Sequence, residues 1–327
     1  MALCDELEKK QEKRNEARII LNISVLDHLL AAKDPKEFDT HWQRISTNFD
    51  LLYDKPETVG KLWQAILQFA VQGKLVPQDP KDEPATVLLE KIKAEKEQLI
   101  KEKRIKKTEP LPPIGEDEIP YKLPKGWVWG RLGNLSELIT KGSSPKWQGI
   151  NYTDKQDGIL FVTSENVGSF KMLLDDPKFV EMKFNTIEPR SILKRNDILM
   201  NIVGASIGRT ALFDSDEVAN INQAVCLIRL VGQNKLLALD YFLYFFNSPQ
   251  CISNMFDKQV DNARANLSMG NIAKFAIPLP PFGEQLRIAK KVSEILRMCD
   301  ELETKLTHAE KASEELVEAV VREVVGS

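Results

Sequence analysis

Along the carboxy-terminal stretch, Ile288, Val292, Ile295, Cys299, Leu302, Leu306, Ala309, Ser313, Leu316 and Val320 fall at alternating steps of four and three. That is a heptad seam, and it predicts a long helix whose stripe needs a partner helix. The seam follows Pro278-Leu279-Pro280-Pro281, which favours extended backbone, and Glu284 then sits in a first turn, where an acidic group suits the helix dipole. Residues 1–32 also read as helix, with Ile19, Ile23, Leu26 and Leu30 on one stripe. A second apolar helix is predicted from Glu57 to Val71, closed by Gly73 as a C-cap.

The two ends share a repeat. Cys4-Asp5-Glu6-Leu7-Glu8 recurs as Cys299-Asp300-Glu301-Leu302-Glu303, and Leu62-x-x-Ala65-Ile66-Leu67 returns in the same order as Leu316-x-x-Ala319-Val320-Val321. Related helical units are therefore expected on either side of one central domain. Between them, 77–120 reads as a linker holding a charged helix (Ala85 to Lys107) and the proline-rich stretch Pro110 to Pro113. Its basic run Lys101 to Lys107 reads as a solvated helix end.

From Trp127 to Pro281 the texture changes to short apolar runs punctuated by glycine and asparagine. Gly158–Val162, Asp197–Met200, Arg209–Phe213 and Ala224–Leu230 read as strands, and Leu239–Phe246 and Gln250–Gln259 as helices. The fold class is α+β: one mixed domain over 121–283, flanked by helical regions at 1–76 and 284–327 that form a coiled coil.

Composition narrows the function classes. With 327 residues, 43% of them hydrophobic and 28% charged, the chain can bury a core. No apolar run approaches the length needed to span a bilayer, and residues 1–10 lack a secretory signal, so a cytoplasmic location is expected. The four cysteines occur singly and the three histidines lie far apart, which argues against a disulfide framework and a metal site. A net charge of −3 gives no support to nucleic-acid binding, so local patches must carry that argument.

Several short motifs bear on function. Leu123-Pro-x-Gly126-Trp127-x-Trp129-x-x-Leu132-Gly133 opens the central domain and Ile221-Asn222-Gln223-Ala224 lies within it; Pro278-Leu-Pro-Pro281-x-x-Glu284-Gln285-x-x-Ile288 closes it. With the heptad helix that follows, this order resembles the specificity subunits of Type I restriction-modification systems. The resemblance implies a non-catalytic DNA-recognition subunit that directs separate modification and restriction subunits to a bipartite target. S-adenosylmethionine, magnesium and ATP are then expected on those partners and not on this chain. Family members usually carry two recognition domains, whereas this chain has one and begins inside what resembles a conserved helix, as a half-length form or a truncation would. Two copies would then replace the tandem halves as a homodimer, with Ile288, Val292, Ile295, Cys299, Leu302, Leu306, Leu316 and Val320 as the partner-helix seam. No methylase Asn-Pro-Pro-aromatic motif and no phosphate loop occur. A DNA-modifying enzyme with an unrecognised site and a coiled-coil scaffold are the alternative readings.

Reading double-stranded DNA requires cations for phosphates and amide or guanidinium groups for base edges, commonly on loops held by a rigid scaffold. Five segments qualify. Lys141, Ser143, Ser144, Lys146 and Trp147 form a compact basic loop that also reads as an ordinary turn. Ser164 and Asn166 follow a strand, where turn capping competes with base contact. Arg209 closes a glycine-bracketed segment that equally suits a tight hairpin. Asn222 and Gln223 offer amides to adenine or to their own backbone. Asn262, Arg264, Asn266 and Ser268 combine a guanidinium, amides and a hydroxyl, and stand as the leading contact segment.

Overall fold

The computed structural model describes residues 2–53, 56–257 and 267–325. The chain divides into two compact units, one of Met1–Ala70, Lys74–Pro77 and Lys290–Ser327, the other of Val71–Gly73 and Gln78–Ala289.

The first unit is helical: α1 (Ala2–Leu30), α2 (Pro35–Thr47), α3 (Phe49–Leu52) and α4 (Pro56–Val71) form its amino-terminal part. Asp34 starts α2, its carboxylate accepting from Lys36 N and Glu37 N at 2.9 Å, with Pro35 in the first turn where its missing N–H costs nothing. Phe38, Trp42 and Ile45 then turn inward, and the Phe38 ring meets Phe69 of α4 at 5.1 Å. The inward stripe of α1 differs from the one expected. Leu26 is buried, but Ile19, Ile23 and Leu30 are exposed; Asn22 and Leu29 are the other buried members. Asn22 donates to Leu52 O at 3.1 Å, which satisfies a carbonyl at the end of α3. A search for apolar spacing alone passes over a stripe that contains a working asparagine.

The second unit contains the strands. It begins with α5 (Ala85–Lys101), followed by β1 (Val128–Arg131), α6 (Leu132–Leu135), β2 (Ser136–Lys141), β3 (Tyr152–Thr153), β4 (Gly158–Val162) and β5 (Lys178–Glu181). Next come α7 (Lys183–Ile187), β6 (Asp197–Asn201), β7 (Thr210–Phe213), β8 (Ala219–Ile221) and β9 (Val225–Leu230). The unit continues through α8 (Leu239–Phe246), α9 (Pro249–Asp257), α10 (Met269–Ala273), β10 (Ala276–Leu279) and the first turns of α11 (Phe282–Val325). One sheet has the order β2-β9-β6-β7, a second β3-β5-β4-β8, and β1 pairs with β10 alone. All pairs are antiparallel except β4 with β8. Strand side chains alternate in direction, so β4 serves two cores. Leu160 and Val162 join Leu199, Phe213, Ile221 and Leu227 in a cluster drawn from both four-stranded sheets. Ile159 and Phe161 pack on the other side with Val180 and Phe184.

The linker reading of 77–120 is corrected. Ala85, Leu88, Ile92 and Leu99 of α5 are buried, and Ala85 N donates to Gly126 O at 2.9 Å. The proline-rich stretch is fastened by Arg131, 4% exposed, which donates to the carbonyls of Pro112 (3.0 Å) and Pro113 (2.7 Å) and pairs with both oxygens of Glu118. Proline-rich composition signals extended backbone, but not whether a buried guanidinium holds it.

The heptad helix exists, but its seam has two halves. Ile288, Val292, Ile295, Cys299 and Leu302 are buried by the chain's own residues. Within the first unit, burial and nearby acids push the Cys299 thiol up to about 12, partly opposed by the Trp63 indole, and Lys291 pairs with Asp39 at 3.2 Å. Beyond Leu302 the cover ends: Leu306 is half-buried and Leu316 is 66% exposed, while the side chain of Val320 lies outside the described residues.

At the start of α11 the closing motif is buried. Gln285 accepts from Ala238 N and donates to Pro280 O, both at 3.0 Å. Glu284 is fully buried and accepts from Gln78 Nε2 at 3.1 Å, and burial raises its pKa to about 7. Among the described residues no helix is long and apolar enough to cross a membrane.

Candidate nucleic-acid interface

The sheet register gathers the polar loops. Lys141 at the end of β2 pairs with Cys226 at the start of β9, Asn201 at the end of β6 pairs with Val225, and Thr210 at the start of β7 pairs with Met200. In the other sheet Val162 at the end of β4 pairs with Ile221 at the end of β8. The loops 142–151, 163–177, 202–209 and 222–224 therefore leave the strands at one end of the domain.

Backbone contacts knit them together. Asn222 N donates to Val162 O, Ile202 N to Ala224 O and Gly208 N to Asn201 O, each at 3.0 Å. Asn201, buried, donates its amide to Ser164 O (2.9 Å) and Val167 O (3.2 Å) and so ties the β6 end to the loop after β4. Gly142 closes the remaining gap: a Cβ there would lie 1.8 Å from Ile221 O, so only glycine allows the first loop to rest on the Asn222-Gln223 turn. Leu267 N donates to Ile202 O at 3.2 Å, which brings Leu267 and Ser268 to the same place.

The expected contact residues fall into three groups on this surface. Lys141, Lys146, Trp147 and Arg209 are exposed, and Gln223 is half-buried on the turn. Ser143, Ser144, Ser164, Asn222 and Ser268 do internal work. Ser143 Oγ accepts from Gln148 Nε2 at 3.0 Å, Ser144 O from Trp147 N at 3.1 Å, and Asn222 Oδ1 from Ala224 N at 2.9 Å. Ser164 contributes its carbonyl to Asn201, and Ser268 caps α10 by accepting from Asn271 N at 3.1 Å. Asn166 is corrected from contact residue to loop staple: it is buried, its Oδ1 accepts from Thr163 N and Oγ1, and its Nδ2 donates to Leu173 O. A side chain with both ends occupied and only 4% exposure has little to offer a base edge. Asn262, Arg264 and Asn266 lie outside the described residues.

The hairpin reading of 204–209 needs lengthening. β6 and β7 do form a hairpin, but its loop of 202–209 contains a 3-10 turn at Gly204–Ser206, with Gly204 and Gly208 at φ +75° and +90°. Sequence reasoning missed two further residues. Lys171 is exposed on the turn between Val167 and Met172, and Phe170 N beside it donates to Thr210 O at 2.9 Å. No pattern in the sequence announces Lys171. Asn201 could have been found as the one amide ending an apolar strand.

Residues 124–309 match the family model described as Type I restriction modification DNA specificity domain. The chain belongs to that family. It is 32% identical over 331 residues to the Type I restriction enzyme EcoAI specificity subunit of Escherichia coli, covering 98% of this chain and 54% of the relative. It is 30% identical over 339 residues to the Type I restriction enzyme EcoEI specificity subunit of the same organism, with the same two coverages. The chain thus spans about half the length of the curated relatives it matches. Among solved structures, the HsdS subunit from Thermoanaerobacter tengcongensis aligns with a TM-score of 0.43 at 18% identity, covering 78% of this chain and 56% of that one.

Among the described residues, no group of three or more His, Cys, Asp or Glu is placed to hold a metal ion.

Proposed function

We propose that this chain is a DNA-reading specificity subunit that takes no catalytic step and directs a modification subunit and, through the complex, a restriction subunit to a bipartite site in duplex DNA. The observation that carries the reading is the convergence of Lys141, Lys146, Arg209, Gln223 and Lys171 on loops at one end of the two sheets, each loop fixed by backbone hydrogen bonds. Cations for phosphates, an amide and a guanidinium for base edges and a rigid support are what sequence reading in a groove requires. Family membership supplies the context in which S-adenosylmethionine, magnesium and ATP belong to the partner subunits. The homodimer remains part of the proposal, supported by the uncovered second half of the α11 seam around Leu316 and by the exposed Ile19, Ile20 and Ile23 of α1.

The test is a mobility shift on duplex DNA by the chain assembled with its modification subunit, for wild type and for the triple variant Lys141→Ala, Lys146→Ala, Arg209→Ala. Each cation that contacts a phosphate contributes about 0.9 to the slope of log affinity against log salt. The triple variant should bind more weakly and show a slope shallower by up to about three. Equal affinity and equal slope would remove this surface from the interface.

A further inference from the structure

Trp147 is 75% exposed, the most exposed large apolar side chain among the described residues. Its indole makes no ring contact or side-chain hydrogen bond there. One exposed apolar side chain is ordinary on a protein surface, and the way it is held is what sets this one apart. The support beneath it is rigid. Trp147 stands on the 3-10 turn Pro145–Gln148, with Pro145 buried below and Gly149 reversing the chain at φ +65°. Ile150 N donates back to Pro145 O at 3.0 Å, and Gln148 ties the turn to Ser143 Oγ (3.0 Å) and Glu188 Oε1 (3.1 Å). Ile150 is itself part of the Phe161–Phe184 core cluster. Lys146 beside the indole is exposed, as are Lys183 and Arg190 on either side of Glu188 in sequence.

An aromatic plane held on a fixed turn, next in sequence to exposed Lys146 and on the loop that follows Lys141, fits a nucleic acid better than a protein partner: the cations meet phosphates while the indole meets a base face. A surface lysine alone would need no such support. Resting on the DNA-reading function proposed above, we propose that Trp147 is a specificity-determining wedge, its indole stacking on a base at a step that the DNA must open to admit it. Apolar side chains inserted at a base step unstack it and select steps that deform readily, so this residue would read sequence through deformability and not through hydrogen bonds.

The experiment uses the full chain assembled with its modification subunit, and 40-base-pair duplexes enriched on the wild-type complex from a random pool. 2-Aminopurine replaces each adenine of the enriched duplex in turn. Wild type should change the probe's emission at one step of the half-site, brightening it where the wedge removes a stacked neighbour. Trp147→Ala should abolish that signal and weaken binding about 10- to 100-fold, the size of losing one base–aromatic stack. Trp147→Phe should keep the signal and most of the affinity. Wild-type affinity and an unchanged probe signal for Trp147→Ala would overturn the wedge. So would failure of Trp147→Ala to join the modification subunit, since the indole would then cover a protein. If the wild-type complex enriches no duplex at all, the DNA-reading function falls and the wedge with it. Loss of binding in the Lys141, Lys146, Arg209 variant alongside an unaffected Trp147→Ala would sink the wedge alone.

Discussion

Glu284 offers a quantitative test of how the closing motif is built. Its carboxyl is fully buried in the first turn of α11, where desolvation raises the pKa from 4.5 to about 7, with Gln78, Trp127 and Arg287 pulling less strongly the other way and Asp82 reinforcing the rise. An acid whose pKa is higher folded than unfolded binds more protons in the folded state, so stability falls as pH rises from about 4.5 to about 7. Each pKa unit is worth about 1.36 kcal/mol, so the full shift corresponds to about 3 kcal/mol lost across that window. Glu284→Gln keeps the oxygen that accepts from Gln78 and removes the titration. Urea unfolding at pH 5, 6, 7 and 8 should show the variant gaining on wild type as pH rises, by about 2.5 kcal/mol between the ends because part of the loss is already in place at pH 5, with no change in the dependence of other groups. Parallel pH profiles for the two proteins would show that Glu284 is charged at no such cost, and the reasoning would fail.

Three further outcomes follow from the same contacts. Gly142→Ala would drive a Cβ into Ile221 O, so the variant should lose about 1–3 kcal/mol of stability and DNA binding together, read by thermal melting and mobility shift. Asp197→Asn would leave Arg229, now paired to it at 2.6 Å and 13% exposed, as an uncompensated cation; chemical unfolding should register about 3 kcal/mol of destabilisation, and a change under 1 kcal/mol would refute the pair's importance. Leu316→Glu places a charge on the uncovered seam and should raise the monomer fraction in sedimentation without lowering the melting temperature, whereas an unchanged mass would exclude that stretch from the dimer contact.

What the sequence disclosed depended on the kind of signal. Period and punctuation located β4 and α8 at their observed ends and the long α11 to within its first turn, because apolar runs bounded by glycine or proline are local events. Short strands were missed where side chains gave no such contrast: β2 reads Ser-Glu-Leu-Ile-Thr-Lys, and β8, only Ala-Asn-Ile, ends on the first residue of the Ile221-Asn222-Gln223 motif. The α1 stripe was misregistered because Asn22 belongs to it, and 77–120 passed for a linker because the Arg131 that fastens it lies outside that stretch. For the interface, residue types identified the loops, but register alone could bring four of them to one end. Burial then separated Lys146 and Arg209, free to meet a ligand, from Asn166, whose amide is consumed by its own loop.

The central claim is that these converged loops read DNA sequence. Mapping methylated bases in genomic DNA from cells carrying this chain and its modification subunit, with wild-type loops and with the Lys141, Lys146, Arg209 substitutions, tests it most directly. The account predicts a bipartite wild-type motif made of two inverted copies of one half-site, as two copies of one reading domain require, and a motif lost or altered at both half-sites in the variant. A continuous or asymmetric motif would contradict the paired-copy arrangement, and an identical motif from the substituted loops would contradict the reading surface itself.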